Sequence, residues 1–283
     1  MVMALFTTVT PPTVTVTSCL LHDAFTGFSA LGLALAGILL LILLTPSIPQ
    51  PQRYHDFADK REFFGIPNAL NVISNFPFLI IGLIGLVLCH RGNYFNISLQ
   101  GEQWGWTCFY VGVISVAFGS SYYHFGPDDA GLVWDRLPMT VAFASLLAIL
   151  IIERIDAKKG TISIVPLITA GIVINVFFGD VRLYLLAQSA SCIAIPLMAA
   201  LLPPMYTHST YWLWASGFYL LAMLQEAADK AIYLLTFHIV SGHTLKHLSA
   251  AMVPVILTVM LAKRRVYLGK LLHVRNAQLH LID

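Results

Sequence analysis

Residues 71–89 read NVISNFPFLIIGLIGLVLC, nineteen residues without one charged side chain. A helix of that length rises about 28 Å, close to the hydrocarbon thickness of a bilayer. From Phe76 onward apolar side chains fall on every face, so the helix has no polar side to turn toward water. Seven further runs read the same way: 25–44, 104–123, 137–152, 162–178, 184–202, 211–232 and 245–261. The run at 137–152 is short, and only the turn Gly179-Asp180-Val181-Arg182 parts 162–178 from 184–202. The spans therefore number eight, within a range of seven to nine.

Composition agrees. Of 283 residues 58% are hydrophobic and 11% charged, with a mean hydropathy of +0.78. A soluble domain carries about 25% charged residues. The expected architecture is an all-α polytopic membrane protein, a seven-helix transmembrane bundle plus one extra N-terminal transmembrane helix. Its parts are a tail, anchor helix and linker at 1–53, the membrane domain at 54–263, and a basic then polar tail at 264–283. The first 52 residues hold no Lys or Arg, so a secretory signal with a basic n-region is not expected and 25–44 reads as a retained anchor. Basic residues cluster after the even-numbered spans, as in Arg154, Lys158, Lys159, Lys263 and Arg265, which predicts a cytoplasmic C-terminus. A net charge of +2 gives no reason to expect nucleic acid. Cys19, Cys89, Cys108 and Cys192 are scattered and read as small buried residues.

Ionisable groups in or beside membrane spans are costly unless partnered, so they are candidates for function. Six fall toward one membrane face. His124 ends the third span, Asp135 precedes the fourth, Glu226 and Asp229 lie late in the seventh, and His243 and His247 open the eighth. A helix places residues i and i+4 on one face, so His243 and His247 can share a metal. Zinc accepts imidazole nitrogens and in catalytic sites keeps a position for water. His124, at matching depth, can complete the set. Ser120 lies one turn before His124 and can stabilise an oxyanion, or simply bond back to its own helix. Asp135, just before Pro138, reads as a helix N-terminus; it is a cap, an ion-pair partner of Arg136, or a general base. Asp128 and Asp129 read as solvated turn residues. Glu226 and Asp229 share a face and either orient the histidines or pair with Lys230 or Lys246.

The order Ser120-x-x-x-His124, Asp135, then His243-x-x-x-His247 resembles the alkaline ceramidases. These belong to a superfamily of seven-helix membrane hydrolases that includes adiponectin/progestin-type receptors and GPI-remodelling lipases. Asn71-Val72-Ile73-Ser74-Asn75 is similar to the stretch that opens the ceramidase core, and Asp229 to the acid before the last helix. The resemblance covers about 54–263 and is greatest to the branch called alkaline phytoceramidase. It implies zinc on His124, His243 and His247, acid/base chemistry at Asp135, a supporting Ser120, and a ceramide-like lipid substrate. It also implies a calcium site before the core. Here Asn68 stands in a glutamate's place and Asp56 and Asp59 are spaced differently, so calcium binding is expected to be weak or lost.

The leading expectation is a zinc-dependent amidase that splits ceramide or phytoceramide into sphingoid base and fatty acid. The alternatives are a lipid esterase of the GPI-remodelling type and a non-catalytic receptor that keeps zinc for structure. A bis-His haem protein ranks low, because His243 and His247 share one helix face. The family expectation for location is the endoplasmic reticulum or Golgi. No obligate protein partner is expected.

Overall fold

The structure is a computed structural model that describes residues 44–92, 94–177 and 180–267, with a few positions between 37 and 42. The chain divides into two compact units, Met1–Pro46 and Ser47–Asp283. The expected anchor at 25–44 lies, apart from those few positions, outside the described residues, as does the tail from 268 onward.

The second unit is a helical bundle. Its elements are α1 (Ala69–Ile73), α2 (Phe76–His90), α3 (Gln100–Phe125), α4 (Asp129–Arg154), α5 (Ala157–Phe177), α6 (Val181–Leu201), α7 (Tyr211–Ala227), α8 (Asp229–Leu235) and α9 (Gly242–Lys263). Among the described residues there is no strand. α1 and α2 form one membrane pass, Ala69–His90, and five such helices are long and apolar enough to cross a bilayer. The pass breaks at Ser74 and Asn75, where Pro77 sits in the first turn of α2. The protein is an all-α, multi-pass membrane protein.

Packing closes a ring. α2 lies on α3, α3 on α4, α4 on α6, α6 on α7, α7 on α9, and α9 returns to α2. α5 packs outside, against α4. Large apolar side chains such as Ile80, Leu83, Phe118, Ile162, Val165 and Leu224 point outward. In water they would be a liability; in a bilayer they meet acyl chains.

The start of α4 corrects the sequence reading. The helix begins two turns before residue 137, because the Asp128 side chain accepts a hydrogen bond from the Gly131 amide at 2.6 Å and caps it. Asp128 is therefore a cap, and Asp129 meets His55 at 3.1 Å. Asp135 is no cap: it lies inside the helix and is buried. Pro138 sits within α4 and has no N–H for the Trp134 carbonyl. α3 approaches at that carbonyl through Gly119, where any Cβ would collide with it. This close crossing sets Ser120 on α3, one turn before His124, beside Asp135 on α4.

The other end of the ring is locked by a buried ionic network. Arg264 pairs with Glu153 and with Glu102 at 3.2 Å, and its Nε donates to the Asn96 carbonyl at 3.0 Å. Its guanidinium lies 3.9 Å from the ring centroid of Tyr206, whose hydroxyl donates to Glu102 at 2.8 Å.

Candidate active site

Two helix ends build the site. The last turn of α3 carries His124, and the first two turns of α9 carry His243 and His247. Ser241 caps α9 by accepting from the Thr244 amide at 3.1 Å. Asp229 accepts from the His243 amide at 2.7 Å and, through its other oxygen, from the Ala58 amide at 2.9 Å. Gly242 lets α9 start against the Gln225 carbonyl, where a Cβ would not fit.

The three imidazoles converge. His124 Nε2 lies 3.2 Å from His247 Nε2 and 3.3 Å from His243 Nε2. Zinc–nitrogen bonds of 2.0–2.1 Å in a tetrahedron put ligand atoms about 3.3–3.4 Å apart. Those two distances match that edge, and the three ligand atoms all lie within 4.8 Å of one another. The donor chemistry fits as well. Ser74 Oγ donates to the Asn71 carbonyl at 3.1 Å and meets His247 Nδ1 at 2.7 Å. It therefore accepts a hydrogen bond from Nδ1–H, which leaves Nε2 with a free lone pair. His243 Nδ1 faces Glu226 at 3.9 Å. Three buried imidazole nitrogens this close, with at least one lone pair inward, can hold a metal ion among them. The Phe57 ring covers His124 and His243, each centroid 4.8 Å away.

Ser120, Asp135 and His247 line one cavity of about 600 Å³. Ser120 lies beside the Asp135 carboxylate, and both are buried. The polar mouth also holds Lys246, Glu226, Arg136 and Tyr54. Phe78, Val116, Met139 and Ala250 are walls shared with a second, apolar cavity that continues past Phe109 and Val253. A polar head and apolar depth suit a lipid.

Glu226 on α7 and Asp229 on α8 have separate tasks. Glu226 accepts from Lys246 at 2.6 Å and from the Tyr54 hydroxyl at 3.4 Å. Asp229 holds the backbone of His243, and Lys230 pairs with Asp56 at 2.7 Å. Sequence reading gave no role to Ser74, Tyr54 or Phe57, and named Lys246 only as an ion-pair option. The available signal for Lys246 was a charge amid the opening turns of an apolar helix.

The acids before the core face cations. Asp56 contacts Lys230 and Lys60, whose hydrogen bonds and charges pull its carboxyl down to about 2. Burial would raise Asp59, but the Arg61 guanidinium, bound at 2.7 Å, outweighs it and holds the carboxyl below its usual range. Asn68 donates to the His124 carbonyl at 2.9 Å.

A multi-pass helical ring, a buried imidazole trio able to hold a metal, and a cavity with a polar part and an apolar part place the chain among membrane proteins that can handle a lipid. The family model described as Ceramidase matches residues 65–212, just over half of the chain. The chain belongs to the ceramidase family, hydrolases of the amide bond of ceramide. The matched stretch holds Ser120, His124 and Asp135 and ends before His243. No curated protein and no solved structure gives a significant match.

Proposed function

We propose that the protein is a zinc-dependent intramembrane amidase that cleaves the N-acyl bond of ceramide or phytoceramide. The observation that carries this reading is that His124 Nε2 lies at tetrahedral-edge distances from both His243 Nε2 and His247 Nε2, beside a cavity that His247 lines. His124, His243 and His247 would hold the ion. When bound, zinc supplies Lewis-acid chemistry, acidifying water and polarising a carbonyl.

The chain's own residues handle protons and position. Asp135 accepts a proton from the attacking water and returns one to the leaving amine. Ser120 donates a hydrogen bond to the carbonyl oxygen as negative charge gathers on it. Ser74 holds the His247 ring, and Asp229 holds the turn that carries His243. The apolar cavity keeps the acyl chain, so the amide stays at the polar mouth. The products are a sphingoid base and a free fatty acid. The hydrolase unit is assigned to 54–263, extended by Arg264, which the buried ionic network holds inside the bundle, and it lies between the anchor region 1–53 and a C-terminal tail. The C-terminus is assigned to the cytoplasm, in the endoplasmic reticulum or Golgi.

The test is fatty-acid release from ceramides and chain-matched ester lipids by detergent-purified protein, with elemental analysis for the metal. Ceramide turnover should vanish in His243→Ala along with zinc. Asp135→Asn should lower kcat about 10²–10⁴-fold while keeping the metal. Ester cleavage without amide cleavage would move the reading to a lipase. Bound zinc with no turnover of any lipid would move it to a receptor.

A further inference from the structure

We propose that the Lys246–Glu226 pair selects the alcohol half of the substrate, by hydrogen-bonding a hydroxyl group that sits beside the amide of a neutral N-acyl amino alcohol. That the amide is the bond cleaved rests on the amidase reading; the subsite rests on the cavity wall itself.

Lys246 stands on α9 between His243 and His247, and Glu226 is the last residue but one of α7. Both line the cavity that Ser120, Asp135 and His247 line. Lys246 Nζ donates to Glu226 Oε1 at 2.6 Å. The Tyr54 hydroxyl donates to the same oxygen at 3.4 Å, and His243 Nδ1 lies 3.9 Å from it. Among the described residues no donor meets the other oxygen, Oε2. That oxygen is not sealed in: it is absent from the buried atoms that lack a partner, and the Glu226 side chain is 20% exposed. Lys246 Nζ carries three N–H donors, and among the described residues Glu226 Oε1 is its one hydrogen-bond acceptor. Glu102 at the far end of α3 shows the contrast. Its Oε1 accepts from Tyr206, and its Oε2 accepts from Tyr206, Arg264 and the Ser98 amide.

As a clamp between α7 and α9 the pair is a poor choice. Two charges withdrawn from water stabilise a fold no better than apolar side chains of the same volume, and α9 builds the deeper wall from Ala250, Val253 and Pro254. As a reader of hydroxyl groups it is well made. The two charges cancel, so the pair favours neither an anionic nor a cationic head. What it offers the cavity is an open carboxylate oxygen beside open ammonium N–H bonds. A hydroxyl both donates and accepts, and complements the two together. In an amide of the ceramide type, the carbon bearing the nitrogen is flanked on each side by a carbon bearing a hydroxyl. With the carbonyl beside Ser120 and the acyl chain in the apolar depth, those hydroxyls fall at the polar mouth, where Lys246 and Glu226 are. A lipid without them leaves both charged groups dry and unanswered, which is the strongest form of discrimination a polar site has.

The experiment gives the full-length protein three lipids with the same chains: ceramide, its analogue lacking the primary hydroxyl, and its analogue lacking the secondary hydroxyl. The ratios of kcat/KM are read on the unaltered protein. Binding is read as thermal stabilisation of the Asp135→Asn protein, so that turnover does not consume the ligand. At least one analogue should lose about 10–100-fold, as expected for a hydrogen bond to a charged group. Glu226→Gln together with Lys246→Met removes both charges at once and strands neither. In that protein the penalty for the missing hydroxyl should disappear while zinc content stays the same. Glu226→Gln alone is the second variant, for use if the double one does not fold or does not hold zinc. Its amide keeps an acceptor for Lys246 but puts a donor where Oε2 was, and the penalty should shrink. Equal kcat/KM and equal binding for the three lipids overturn the proposal, whether or not either variant folds. So does a penalty that survives in full in the variants. Preferential binding of ceramide without hydrolysis of any of the three leaves the subsite standing and sinks the amidase reading. Hydrolysis of all three at one rate does the reverse.

Discussion

The two ends of α3 bury charge in opposite ways. Near Gln100, Glu102 and Glu153 close around Arg264, and the guanidinium spends Nη1, Nη2 and Nε on protein acceptors. Near Phe125, three imidazole nitrogens face one another, His124 Nδ1 has no partner among the described residues, and Arg136 Nε has none either. The bundle satisfies the Arg264 guanidinium completely, yet leaves the imidazole trio and Arg136 Nε open, as it also leaves Trp106 Nε1 and Arg154 Nε. Each unsatisfied buried group calls for an explanation, and at the imidazole trio the proposed explanation is a metal ion.

The largest effect on stability should come from breaking the closed end. Arg264→Met leaves two buried carboxylates without their cation, which should destabilise the fold by about 3–5 kcal/mol. Adding Glu102→Gln and Glu153→Gln should recover much of that loss. Thermal unfolding in detergent measures both. Fatty-acid release per folded molecule should change little, since the network lies at the far end of α3 from the histidines. A folded Arg264→Met protein without turnover would break the comparison, because the closed end would then be part of the chemistry.

The contrast between the ends also explains what could be read in advance. The membrane passes were legible because an apolar run of span length admits few other folds. The His243–His247 pair was legible because helix geometry alone places i and i+4 together. The start of α4 was not, since hydropathy registers the apolar body of a helix and passes over its capped polar turns. Gln100–Gln103 were missed in the same way. They precede the apolar run at 104–123 but form the first turn of α3, with Glu102 neutralised by an arginine 162 residues away. Ser74 and His247 are 173 residues apart, so no local spacing could have joined them. Nor could face-sharing decide between Glu226 and Asp229. That depended on which of them met Lys246 and which met the His243 backbone.

A smaller change should sharpen the open end. Ser74→Ala removes the group that fixes the His247 tautomer, while leaving every Nε2 in place. Outer partners of metal-bound histidines are worth about 10–100-fold in affinity. Zinc retention against a competing chelator should fall by that factor, with little change in Tm of the metal-free protein. Unchanged retention would mean that His247 keeps its orientation through packing alone. Equal losses of zinc and of metal-free stability would make Ser74 a core residue of the α1–α9 contact.

The smallest effect should come from the exposed pairs of Asp56, which belong to neither end. Its carboxylate contacts Lys60 and Lys230 on the segment that runs up to Phe57 over the histidines. The side chain is 45% exposed, so water and salt weaken these contacts. Asp56→Asn should lower Tm slightly, and less at high salt. The sign with pH follows from a carboxyl held at about 2 in the fold, against about 3.9 in an unfolded chain. The folded state favours the ionised form, so the contribution is complete above about pH 4 and fades as pH falls toward 2. The Tm gap between the two proteins should therefore stay level from pH 8 to about pH 4 and then close. A gap that widened on acidification would show that Asp56 is not held ionised by its lysines. Calcium supplies a second reading of the same pair. Both oxygens already contact ammonium groups, so added calcium should raise the Tm of neither protein. A rise in the parent chain that disappears in Asp56→Asn would instead make this carboxylate a calcium ligand.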